Sequence, residues 1–81
     1  MYYVYLLRLG NNKIYVGCTS DLKDRINKHR KGYNKYTKSL LPIKLIYYCC
    51  FPDKYLAYNF EKYLKTGSGR AFISKRLVNN Y

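Results

Sequence analysis

Two short apolar runs, Tyr2 to Leu7 and Lys13 to Cys18, flank Gly10-Asn11-Asn12, and this arrangement commits the start of the chain to a β-hairpin. Tyr, Val, Ile and Leu suit a pleated, half-buried surface, and the residues between the runs tolerate the positive φ angles of hairpin turns. Thr19-Ser20-Asp21 then supplies N-cap chemistry for a helix from about Leu22 to Lys31, stopped by Gly32. Tyr33 to Pro42 has no clean period and carries Lys35, Thr37, Lys38 and Ser39, so it reads as a basic loop able to touch phosphate. Ile43 to Phe51 is apolar almost throughout, which predicts a strand covered on both faces and ended by Pro52-Asp53. Asp53 caps a second helix to about Lys65, with Leu56, Phe60 and Leu64 at helical spacing and Gly67 as its end. A short third helix is expected over Arg70 to Leu77, with Ser68 as cap and Phe72, Ile73 and Leu77 turned inward. The expected class is α+β, in β-β-α-β-α-α order.

Eighty-one residues leave room for one core, so residues 1–81 are expected to form a single domain. Its stability should be roughly 4–12 kcal/mol at ~0.05–0.15 kcal/mol per residue. Sixteen Lys and Arg against four Asp and Glu give a formal net charge of +12, a self-repulsion that a polyanionic partner would relieve. The alternative is a solubilising surface set by compositional bias. No stretch is long enough to span a bilayer, and the basic residues are not gathered opposite one apolar helix face, so a membrane is not the expected partner. The N-terminus lacks the positive region and cleavage site of a signal peptide. Cys18, Cys49 and Cys50 are odd in number and two are adjacent, which argues for small buried hydrophobes in a reducing, cytoplasmic setting. One histidine and no Cys-x-x-Cys pair exclude a structural zinc site.

Within this frame a few residues could carry chemistry. Leu22, Ile26 and His29 share one face of the first helix, with Arg25 at i, i+4 spacing from His29. Arg25 is either a snorkelling stripe-edge cation or a fork for phosphate oxygens; His29 is either a packed core-edge histidine or a donor to the same phosphate. Glu61, one of four acids, lies at the flank of the second helix's apolar arc. Lys65 at i+4 offers it an ordinary ion pair, and the same carboxylate is a natural seat for a hard divalent cation. Tyr5 and Tyr15 stand centrally in the two hairpin strands. They either pack the sheet or present a phenol to a phosphate or the attacking water; a free phenol loses its proton near pH ~10, so a base role requires neighbouring cations or metal-bound water, and the local positive charge is expected to supply that condition. No obligate protein partner is evident.

Taken in order, Tyr3-Val4-Tyr5, Lys13-Ile14-Tyr15-Val16-Gly17, the helix Asp21-Leu22-Lys23-Asp24-Arg25 with His29, and a later helical Glu61 resemble the GIY-YIG nuclease superfamily. The chain is most similar to its short stand-alone members, which are related to the nuclease domain of the UvrC excision-repair protein and to catalytic domains of intron-encoded endonucleases. The resemblance spans Tyr2 to about Leu77. It implies a small three-stranded antiparallel sheet flanked by helices, and a metal-dependent endonuclease acting on nucleic acid, DNA in preference to RNA, in repair or recombination. It also implies one Mg2+ or Mn2+ held by Glu61, with Tyr5 or Tyr15 as general base, Arg25 steadying the scissile phosphate and His29 assisting. Lys13, Lys23, Arg30, Lys35, Lys38 and Arg70 are the candidate nucleic-acid contacts. The first motif departs from the pattern, with Tyr3 where the family has glycine. An asparagine that many members place after the glutamate helix has no clear counterpart in Lys65 to Arg70. The rival from another class is a non-catalytic nucleic-acid-binding module on the same fold, with tyrosines stacking on bases.

Overall fold

A computed structural model describes residues 1–78. The hairpin forms as the sequence predicts, with β1 over Tyr2–Arg8 and β2 over Ile14–Thr19. Its turn closes through Asn12 N donating to the Leu9 carbonyl at 2.9 Å and Leu9 N donating to the Lys13 carbonyl at 2.9 Å. Asn12 takes the positive φ of 67° that completes this turn type. β3, Lys44–Phe51, adds antiparallel to the other side of β1, so the sheet order is β2-β1-β3 and the fold is α+β with a three-stranded antiparallel sheet. A register shift between Leu6 and Leu7 leaves Ile46 of β3 as an extra residue, a β-bulge.

Alternation along the strands builds two cores, one on each face. Val4, Leu6, Ile14 and Val16 face α3 (Lys54–Leu64), α4 (Gly67–Phe72) and a π-helical turn at Ile73–Leu77, packing with Ala57, Leu64 and Ile73. Tyr5 and Leu7 face α1 (Leu22–Arg30) and pack with Ile26, Ile43 and Leu9. Burying each of these large side chains contributes ~1.5–3 kcal/mol. α1 is capped as expected: Asp21 accepts from Asp24 N at 3.0 Å. Its C-terminus is a complete Schellman motif. Gly32, at φ +80°, donates to the His29 carbonyl, and Tyr33 donates to the Lys28 carbonyl, both at 3.0 Å.

Four expectations are corrected. β3 is an edge strand, not one covered on both faces: the nine-residue α1 does not reach it fully, and Tyr48 is 54% and Cys50 likewise exposed. Residues 35–38 form a one-turn helix, α2, instead of loop, because Asn34 accepts from Thr37 N at 3.1 Å and caps it. Leu56 is 52% exposed, since α3 is turned so that Ala57, Phe60 and Leu64 meet the sheet, the small Ala57 allowing close approach. Gly67 opens α4 instead of ending α3, and the cap is Thr66, accepting from Gly69 N at 3.0 Å, not Ser68. No helix among the described residues is long and apolar enough to cross a membrane.

Gly69 is packed so tightly on α3 that a Cβ would overlap the Tyr63 carbonyl and the Leu64 backbone, whereas nothing lies within 4 Å of one at Gly67. Gly69→Ala should therefore cost ~1–3 kcal/mol or more, as overpacking does. Gly67→Ala should be neutral or stabilising by up to ~1 kcal/mol. Urea unfolding of the two variants side by side checks this pair; equal effects would contradict the packing.

Candidate active site

The hairpin register places Tyr5 opposite Gly17 and Leu7 opposite Tyr15, so both tyrosines project to the α1 face with ring centroids 6.4 Å apart. The Tyr5 ring folds across Gly17 so closely that a Cβ there would collide with the phenol carbon and oxygen. Glycine at position 17 is what lets the phenol lie flat toward the outer side of β2. Its hydroxyl then reaches His29, which the Leu22-Ile26-His29 stripe carries into the core: Tyr5 Oη and His29 Nε2 are 3.0 Å apart. On the other side of the ring, His29 Nδ1 lies 2.9 Å from Thr37 Oγ1 of α2. Tyr5, His29 and Thr37 are essentially inaccessible to solvent. α2 also holds Tyr15: Asn34 Nδ2 donates to its phenol oxygen at 3.4 Å, and the Tyr36 ring stacks on it at 5.9 Å.

Burial governs the charge states here. Desolvation, reinforced by Tyr15, pushes the Tyr5 phenol up to about 12, outweighing the Arg25 guanidinium that favours its ionised form. The surrounding positive charge expected to favour a phenolate therefore loses to burial at Tyr5. Burial, and then Arg25, moves His29 below its ordinary value, so the imidazole is neutral at pH 7. Arg25, a permanent cation, acts on the phenol electrostatically. The neutral ring carries one proton, so one of its nitrogens donates and the other accepts between Tyr5 and Thr37.

The remaining charges arrive from both faces. Arg25 projects from α1 and is exposed, while Glu61 projects from α3, about 40° from Ala57 at ~100° per residue. Both act electrostatically on the Tyr5 phenol and on the Cys18 thiol, which is itself raised mainly by burial. Arg25 and Glu61, on helices packed against opposite faces of the sheet, are therefore both within electrostatic reach of Tyr5 and Cys18. Glu61 is 20% exposed and paired with Lys65 at 2.9 Å. Among the described residues no three His, Cys, Asp or Glu side chains cluster, so a cation held by Glu61 would have few protein ligands. That donor set fits magnesium, which keeps most of its waters and takes one or two carboxylates plus phosphate. It does not fit a dedicated zinc or calcium cage.

The structure thus brings Tyr5, Tyr15, Arg25, His29 and Glu61 into one neighbourhood. The basic candidates are dispersed. Lys13 and Arg70 border a hollow with Tyr36, where Arg70 Nη1 donates to the Ile14 carbonyl at 3.4 Å. Lys23 and Arg30 line a separate groove between α1 and β3, and Lys35 and Lys38 are exposed on α2. Sequence reasoning missed Asn34, Tyr36 and Thr37. Their one signal was an Asn with Thr three residues later, the spacing of an N-cap, in a stretch too short to show helical periodicity.

A family model described as the GIY-YIG catalytic domain matches residues 1–75. A UPF0213 protein of Streptococcus sanguinis is 35% identical over 81 residues, covering 95% of this chain and 93% of the relative. A UPF0213 protein of Clostridium perfringens is 39% identical over 66 residues, covering 80% and 71%. The solution NMR structure of a UPF0213 protein from Bacillus halodurans superposes with a TM-score of 0.60 at 32% identity, covering 95% of this chain and 87% of that one.

Two outcomes follow from the buried relay. Thr37→Val leaves His29 Nδ1 without its hydrogen-bond partner inside the core and should cost ~1–3 kcal/mol, measured by urea unfolding. The neutral His29 also fixes a pH dependence. Below its ordinary value of 6.5 the unfolded chain takes up a proton that the native chain refuses, until the lower folded value is reached. This stability is complete above pH 6.5 and lost as pH falls. Unfolding midpoints from pH 8 to pH 5 should decline in the wild type and flatten in His29→Gln; a wild-type midpoint indifferent to pH would refute the buried neutral ring.

Proposed function

Because the chain belongs to the GIY-YIG catalytic domain family, we propose that it is a metal-dependent endonuclease hydrolysing phosphodiester bonds in DNA. Family membership supports a nuclease role in general. The observation that supports the finer reading is that Arg25 and Glu61, from helices on opposite faces of the sheet, both act electrostatically on the Tyr5 phenol and Cys18.

Phosphodiester hydrolysis needs a proton acceptor for water and positive charge where the phosphate gains negative charge. Arg25 is exposed beside the buried relay and offers a planar fork for two phosphate oxygens. Tyr5 is sealed inside, with its pKa raised to about 12 and its hydroxyl engaged with His29, so its work is to hold His29 in place. Tyr15 is only partly covered, its oxygen accepts from Asn34, and we assign it the contact with the attacking water. His29, with both ring nitrogens engaged, orients this group instead of touching phosphate. Glu61 would hold the divalent cation, Mg2+ or Mn2+, releasing an exposed Lys65 pair of a kind worth only ~0.3–0.5 kcal/mol. A cation bound there would supply Lewis-acid stabilisation of the phosphate charge. The net charge of +12 supplies general attraction to a polyanion.

Nicking of supercoiled DNA in magnesium, manganese or EDTA tests the reading. Cleavage should require metal and fall about 100-fold or more in Glu61→Gln, the size of loss seen when a group stabilising transition-state charge is removed. Circular dichroism should show that variant folded. Tyr15→Phe should lose cleavage with little change in stability, whereas Tyr5→Phe should lose both. Tight DNA binding without cleavage under any of these conditions would replace the enzyme by a binding module.

A further inference from the structure

The groove between α1 and β3 lies across the helix from the Tyr5 relay, and none of the residues proposed for catalysis lines it. Its volume is about 560 Å³, and its floor is Tyr3, Leu45 and Tyr48 on the sheet, walled by Ile26 of α1. The Tyr3 and Tyr48 rings stand 6.3 Å apart at 58°, and Tyr48 is more than half exposed. Tyr3 occupies the position where the GIY-YIG pattern has glycine; with glycine there the floor would lose one of its two rings. The open floor exists because α1 stops short of β3.

Lys23 and Arg30, both exposed, stand at the rim on α1, seven residues apart and so on the order of 10 Å along the helix axis. The acid on this rim, Asp21, has its carboxylate turned to the Asp24 amide as the helix cap, at 3.0 Å. An aromatic floor between two cations, on a chain of net charge +12, matches one chemistry: a planar, electron-rich ring carried on a polyanionic backbone.

We propose that this groove binds an unpaired nucleobase of the DNA substrate, with Tyr48 and Tyr3 stacking on the base and Lys23 and Arg30 holding phosphates on either side. A base in a duplex is covered by its neighbours and cannot lay its face on Tyr48. The groove therefore favours substrates with a single-stranded segment. This inference rests on the nucleic-acid reading above and deepens it, but it does not depend on cleavage.

The test is direct binding in EDTA, using the full chain and a single-stranded oligodeoxynucleotide carrying 2-aminopurine, whose fluorescence stacking quenches. The wild type should quench it. Tyr48→Ala should bind the single strand about 5- to 150-fold more weakly, the fold-change equivalent of ~1–3 kcal/mol of stacking. Tyr48→Phe should bind like wild type, and affinity for a blunt duplex should be the same in all three. Circular dichroism and the Phe variant guard against loss of fold. Unchanged single-strand affinity in a folded Tyr48→Ala, or equal losses for single strand and duplex, would overturn the stacking site. So would wild-type binding without quenching, as an apolar peptide groove would give. Glu61→Gln should retain the quenching. A chain that stacks the base but never cuts therefore defeats only the nuclease reading, and a chain that cuts without Tyr48 dependence defeats only this one.

Discussion

The buried hydrogen-bond relay Tyr5–His29–Thr37 is the constraint on which the rest of the molecule depends. It joins β1, α1 and α2, three elements whose own apolar contacts would leave their relative position loose. Every polar group in it is removed from water, so each must find its partner inside or the fold is penalised. The register of the hairpin, the glycine at 17, the cap at Asp21 and the one-turn helix at 35–38 all serve to satisfy it. The relay also explains how so cationic a chain accommodates a histidine in its core: neighbouring Arg25 and burial both hold the ring neutral.

Much of the architecture was legible because it is written in local chemistry. Two short apolar runs on either side of Gly10-Asn11-Asn12 announce the hairpin, and Asp21 and Gly32 mark the two ends of α1 through capping groups that act within a few residues. What could not be read depends on distant packing. Leu56 and Ala57 differ by one step around α3, and which of them faces the sheet is decided by how closely a small side chain lets the helix settle. The apolar run of β3 looks like a central strand until the reach of α1 is known, since an edge strand and a covered strand draw on the same residues.

The candidate site divides in the same way. The positions of Tyr5, Tyr15, Arg25, His29 and Glu61 could be picked from spacing and from the family pattern, but the roles of the tyrosines could not. The ring pressed against Gly17 is buried and the other is partly open, a difference of tertiary packing that spacing along the strands does not show. Thr37 and Asn34 stayed invisible because a single helical turn has no periodicity to detect, and their importance comes only from what lies above them in space.

One feature of this layout bears on folding. Arg25 stands on α1, the helix over one face of the sheet, and Glu61 on α3, the helix over the other. Neither core alone can assemble the pair, and an intermediate that had formed just the hairpin and α1 would carry half of it. The arrangement behaves as a coincidence detector: the two charges come together only when both halves are consolidated, so that maturation of the site and completion of the native state are one cooperative event.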